Sequence, residues 1–166
     1  MKAMTLKTPG GLDNLVLAER PEPSVGRGQV LIEVHASSLN YHDYVVAKGL
    51  MPVADGRILM SDGAGRVVEL GEWVEHLKVG DDVFSLFYPR WQSGEADHLV
   101  RTVLPGENVD GYAARFVAVP ENWVTKMPAG YSYAEAATLT CAGITAWKAV
   151  IERARIKPGD WVLTQG

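Results

Sequence analysis

The sequence predicts a mainly β chain, a small barrel or sandwich, whose C-terminal part turns α/β. Two observations carry this. Through about residue 130 the chain is punctuated by Gly and Pro, with short β-branched runs between the breaks. At Ser132-Tyr133-Ala134-Glu135 the pattern changes to a capping box, in which Ser and Glu satisfy the first free amides of a helix. The boundary falls near residues 120–130, giving a β-rich domain over 1–125 and the start of a second over 126–166.

The elements follow in order. Met1 to Leu6, Leu15 to Glu19 and Gln29 to Ser38 read as strands. In the third, Val30, Ile32 and Val34 alternate with Leu31, Glu33 and His35, as a sheet with one buried face requires. Asn40 caps a short helix through Val46, ended by Gly49. Gly65 to Leu70, Asp82 to Phe87 and Tyr112 to Val119 read as further strands. An Ala-rich helix runs from Ser132 to about Ala154. After the turn Lys157-Pro158-Gly159-Asp160, Trp161 to Thr164 read as the start of a buried strand. Tyr88 to Gly111 has weak periodicity and reads as a surface excursion, with an ordered substrate lid as the alternative.

Composition narrows the function classes. The chain has 166 residues, 47% of them hydrophobic and 22% charged, an ordinary globular balance. Its net charge of −4 speaks against nucleic acid and anionic membrane as partners. No apolar run approaches the roughly 18 residues of a membrane span. MKAMTLKTPGG has no apolar core of a signal peptide, so the expected location is cytoplasmic. The single cysteine, Cys141, excludes a disulfide framework within the chain and a four-thiolate zinc site.

Three stretches are candidates for chemistry. In Cys141-Ala142-Gly143-Ile144-Thr145-Ala146-Trp147, Cys141 and Thr145 share one helix face, and Gly143 marks close packing by a helix or a ligand. On residue types alone, a small-residue packing seam with an inert thiol is the simpler reading. In Asn40-Tyr41-His42-Asp43, His42 stands beside an acid, although neighbours on a helix point apart. In Ser61-Asp62-Gly63-Ala64-Gly65, Asp62 reads as a turn residue, with a buried acid in a cleft as the sharper alternative.

In this order and spacing, these stretches resemble the medium-chain dehydrogenase/reductase family, which includes the zinc alcohol dehydrogenases and quinone oxidoreductases. The run begins at Val30 to Val34 and Ser38 to Asp43 and continues through Asp62 to Gly71 and Val79 to Val83. Gly111 to Phe116, Ala136 to Leu139, Cys141 to Trp147 and Lys157 to Leu163 complete it. The resemblance implies a GroES-like, partly open barrel followed by a nucleotide-binding Rossmann domain. Hydride passes between NADP(H) or NAD(H) and a small-molecule carbonyl, alcohol, quinone or activated alkene. Family chains are about twice this length, so WVLTQG would be the first Rossmann strand and Gly166 the start of the glycine-rich phosphate loop.

Zinc-using members ligate the metal with Cys at the place of Asn40, His at the place of Ser61 and Cys or Asp at the place of Cys141. Neither an amide nor a hydroxyl is a usual zinc ligand, and the 88–111 segment lacks the four cysteines of the family's structural zinc lobe. The chain therefore resembles the zinc-free branch. By resemblance, the catalytic candidates are Asn40, Tyr41, His42, Asp43 and Asp62. Asn40, Cys141, Thr145 and Gly166 are the cofactor-binding ones. The expected activity of the isolated chain is nil unless a complementing chain or homo-oligomer supplies the rest. The competing reading is a non-enzymatic GroES-like scaffold using its C-terminal strand as an adhesive edge.

Overall fold

The computed structural model describes residues 1–165. Two antiparallel sheets form the body. The smaller holds strands β1 (Lys2–Leu6), β2 (Leu15–Glu19) and β4 (Arg57–Ile58) in the order β2-β1-β4. The larger holds β3 (Gln29–Ala36), β5 (Ala64–Leu70), β6 (Asp82–Ser85), β7 (Phe116–Pro120) and β8 (Val124–Lys126) in the order β7-β3-β5-β6-β8. An isolated bridge from Ala3 to Ala114, and the Met4 amide donating to the Ala113 carbonyl at 2.8 Å, stitch the two sheets together. This is the partly open barrel expected from the sequence.

The core lies between the sheets because alternate residues of each strand face inward. Ala3, Val30, Ile32, Val67, Val83, Val117, Val119 and Val124 form one buried cluster. Tyr112 joins it, and its ring lies where a Cβ on Gly63 would sit. Most of these residues are β-branched, which suits a pleated, half-buried surface. A second cluster of Leu6, Val46, Ala47 and Leu59 docks helix α1 (Tyr41–Ala47) onto the barrel. Gly49, at φ 74, ends that helix in the left-handed region that glycine enters without steric cost.

Several expectations shift. The strand expected from Tyr112 starts only at Phe116, because the Tyr112 and Ala113 amides donate to the Met60 and Leu59 carbonyls instead. Strands β4 and β8 escaped the sequence reading because they are two and three residues long, too short to show a period. β8 crosses the expected boundary at residue 125 and pairs with β6.

The Ala-rich helix is present but not uniform. After α2 (Tyr133–Thr138) come a π-helical turn over Leu139–Gly143, then α3 (Ile144–Trp147), then a second π-helical stretch over Lys148–Arg153. Ala136 and Ala137 pack on Ala64 of β5, so this segment is tied to the barrel. No strand forms at Trp161 to Thr164, contrary to expectation. A strand needs a neighbour for its amides, and the described residues offer none there: Trp161 is fully exposed. Gly166 lies outside the described residues.

The close approach of β3 to β5 gives a test. A Cβ on Gly65 would sit 2.1 Å from the Glu33 carbonyl oxygen, an atom fixed within the sheet. Gly65→Ala should destabilise the chain by about 1–3 kcal/mol. The expected signature is a lower urea midpoint with an unchanged slope.

Candidate active site

The candidate site forms where the N-terminus of α1, the turn before β5 and the first π-helical turn meet. Asn40 is the N-cap of α1, in extended conformation. Its backbone amide donates to Asp43 Oδ2 at 2.8 Å, half of a capping-box arrangement. Asp43 is buried and reaches across to the turn before β5: the Ser61 amide donates to Asp43 Oδ1 at 2.8 Å and the Ser61 hydroxyl to Oδ2 at 3.3 Å. The Asn40 side-chain Nδ2 donates to both Ser61 Oγ, at 3.1 Å, and Asp62 Oδ2, at 2.8 Å. Asn40, Asp43, Ser61 and Asp62 thus form one connected polar cluster inside the protein.

Asp62 is not a surface turn residue. It is completely buried and its Oδ1 has no hydrogen-bond partner. Burial lifts its carboxyl from 3.8 to about 7, against the opposing bond from Asn40 and with help from the charge of Asp43. The nearby Tyr112 phenol is buried and unpartnered, and burial together with the Asp62 charge pushes it upward as well. An acid that is half-protonated near neutral pH can both give and take a proton.

His42 sits on the far side of Asp43. Its Nε2 lies 2.7 Å from Glu107 Oε2, and its Nδ1 lies 4.0 Å from Asp43 Oδ1. The Phe87 ring meets the imidazole edge-on, with centroids 5.4 Å apart. Glu107 belongs to the 88–111 segment. Residues 92–99 of that segment are exposed, whereas Val103, Leu104 and Glu107 are buried. The segment therefore divides: Tyr88 and Trp91 line a cleft, residues 92–99 form an exposed excursion, and its second half packs into the site. Nothing in the local pattern announced Glu107, which stands 65 positions from its partner.

The remaining candidates divide. Tyr41 is 79% exposed and contacts Tyr44, with ring centroids 6.0 Å apart, so the structure does not bring it into the cluster. Cys141 is half-buried, and burial together with the Asp62 and Asp43 charges raises its thiol. Cys141 and Thr145 line a cleft of about 530 Å³ with Phe87, Tyr88, Trp91 and Ile144. The face they share is therefore a cleft wall rather than a packing seam. Neither residue contacts Asn40 by side-chain hydrogen bond, and the Asn40 amide protons are committed to Ser61 and Asp62.

The donor set does not suit zinc. No cluster of three or more His, Cys, Asp or Glu side chains able to hold a metal exists among the described residues. Asn40 and Ser61 contribute an amide and a hydroxyl, which are not usual zinc ligands, and Cys141 a thiol raised by burial.

Comparison with known proteins places this geometry. The alcohol dehydrogenase GroES-like domain matches residues 26–129. The chain belongs to that family. It corresponds to the N-terminal portion of the medium-chain dehydrogenase/reductase fold. A zinc-type alcohol dehydrogenase-like protein of Schizosaccharomyces pombe is 33% identical over 165 residues, covering 94% of this chain and 46% of that protein. Among solved structures, a cobalt- and zinc-bound alcohol dehydrogenase from Pyrobaculum aerophilum superposes with a TM-score of 0.82 at 31% identity. That match covers 96% of this chain and 50% of the other. The quinone oxidoreductase of Coxiella burnetii gives 0.75 at 29% identity, over 96% and 47%. The GroES-like chain thus spans about half the length of the relatives it matches. No helix among its described residues is long and apolar enough to cross a membrane.

The raised Asp62 makes stability depend on pH. Between pH 4 and 7 the folded state holds a proton that the unfolded state releases. The Asp62 contribution is therefore full below about pH 4 and is lost as pH rises through about 7. Urea unfolding at pH 5 and pH 8 should show the native chain losing up to about 3 kcal/mol more than Asp62→Asn over that interval. Equal losses in both proteins would show that Asp62 titrates normally.

Proposed function

We propose that this chain is the substrate-side half of a zinc-independent, NAD(P)(H)-dependent oxidoreductase acting on a carbonyl, alcohol, quinone or activated alkene. The carrying observation is the bond from Asn40 Nδ2 to Ser61 and Asp62. By the resemblance, this closed hydrogen-bonded cluster occupies the positions from which zinc-using members hold the metal. When bound, the nicotinamide supplies or accepts the hydride. The chain's own residues handle substrate position and the proton. The cleft walled by Phe87, Trp91 and Ile144 receives the substrate and excludes water from one side. Asp62, poised at about 7, is the candidate proton donor and acceptor, and Asn40 holds its Oδ2. Asp43 positions Asn40 and Ser61, and His42 is a second proton carrier behind it.

A scaffold function draws on the exposed apolar residues Ile144, Trp147, Trp161 and Leu163. The two readings part at substitutions: an enzyme loses turnover at Asn40 or His42, whereas a scaffold loses binding when Trp161 or Leu163 is made charged.

Two measurements test the enzyme reading. Titrating the 166-residue chain with NADPH or NADH should give no saturable quenching of tryptophan fluorescence up to millimolar cofactor. The same chain completed with a family-length Rossmann portion should bind and turn over. In that completed protein a metal chelator should leave turnover unchanged, and Asp62→Asn should lower kcat about 100-fold or more. Loss of activity with chelator, restored by zinc, would overturn zinc independence.

A further inference from the structure

Glu107 gives His42 a direction. An ionised carboxylate only accepts hydrogen bonds, so the 2.7 Å contact between His42 Nε2 and Glu107 Oε2 requires the proton to sit on Nε2. Asn108 Nδ2 donates to the other oxygen, Oε1, at 3.1 Å and steadies the carboxylate. The Phe87 ring packs T-shaped against the imidazole. The opposite nitrogen, Nδ1, is buried without a hydrogen-bond partner and faces Asp43 Oδ1 at 4.0 Å. The charged groups facing the imidazole are thus Glu107, from the 88–111 segment, and Asp43, from its own helix. Phe87, which packs on it from beyond β6, carries no charge.

We propose that Glu107 is a positioning residue that locks His42 with its permanent proton on Nε2. The proton His42 gains or gives is therefore the one on Nδ1, on the side of Asp43 and the Asn40–Ser61–Asp62 cluster. This rests on the reading of His42 as a proton carrier, but its test needs neither cofactor nor turnover. Glu107 stays bonded in both charge states of the ring, so proton exchange is confined to one nitrogen and one face. The short bond also fastens the buried half of the 88–111 segment to the start of α1. A change at Glu107 would therefore reach the candidate site without touching substrate.

The test is a long-range proton–nitrogen NMR spectrum of the ¹⁵N-histidine-labelled 166-residue chain across pH. The chain has four histidines, and His42→Gln assigns the signal by its disappearance. The expected result is that His42 Nε2 keeps a protonated, pyrrole-type shift throughout, while only Nδ1 moves from pyridine-type to protonated on acidification. Glu107→Gln, whose amide oxygen can still accept from Nε2, should retain more than nine-tenths of that tautomer. Glu107→Leu should yield a mixture with at least a fifth of the reversed form, in a chain whose backbone amide spectrum is otherwise native. A native chain in which Nε2 is the titrating nitrogen would overturn the proposal. So would a folded Glu107→Leu chain with an unchanged tautomer. Should the leucine variant fail to fold, the native spectrum alone decides which nitrogen carries the mobile proton. Failure here leaves the turnover experiments on the completed protein untouched, so the two readings fall separately.

Discussion

The site depends on the carboxylate of Asp43. It lies at the first turn of a short helix, yet its partners come from that helix's cap and from a turn 18 residues on. Two backbone amides and a hydroxyl converge on it. Buried carboxylates are costly unless their acceptor sites are filled, and here filling them fixes where α1 starts relative to β5. That in turn places the Asn40 amide between Ser61 and Asp62. The second acid is treated differently. Asp62 receives the Asn40 bond on one oxygen and nothing on the other, next to the charge of Asp43. Two buried acids in one cluster thus receive different sets of donors, and burial lifts the sparsely bonded Asp62 carboxyl to about 7. That is the arrangement a proton-transfer site needs.

The parts of this architecture legible in the sequence were those with local causes. The alternation of Val30, Ile32 and Val34 marked β3, because a pleat repeats every two residues. Ser132 and Glu135 marked the start of α2, and their side chains form the reciprocal cap. Asn40 marked the start of α1 in the same way. The ordered series of glycines and short motifs carried the family, which the domain match over residues 26–129 bears out.

What stayed hidden had causes distant in the chain. Asp62 reads as a turn residue because Ser-Asp-Gly has turn chemistry. It is fully buried, and the groups that feel its charge, Tyr112 and Cys141 of the first π-helical turn, are distant in sequence. Glu107 gave no signal, since a lone acid after Pro-Gly looks like any exposed turn. The strand expected at Trp161 shows the reverse error. Its composition is right for a strand, but composition supplies only one side of a ladder, and the described residues do not provide the other. The first π-helical turn falls in the same class: an Ala-rich run specifies a helix, but not the distant Ser85 carbonyl that the buried Thr140 hydroxyl bonds there.

On the function proposed above, the arrangement at Asn40 also limits how charge on a reduced substrate can be met. Asn40 is a catalytic candidate by resemblance, yet both protons of its side-chain amide are engaged, with Ser61 and with Asp62. To donate to substrate it would have to release one, leaving a buried hydroxyl or carboxylate oxygen unpaired at about 1–3 kcal/mol. Releasing the bond to Asp62 would also push that carboxyl further upward, because the Asn40 bond is the largest influence holding it down. The two events therefore couple. An amide that turns toward substrate oxygen makes its former acceptor a better holder of a proton, and a proton arriving on Asp62 Oδ2 loosens the amide. On the proposed zinc-independent reading, charge stabilisation and proton delivery would then be two faces of one switch at Asn40. The cluster would be stable when closed because every donor in it is used, and responsive because Asp62 alone has an acceptor to spare.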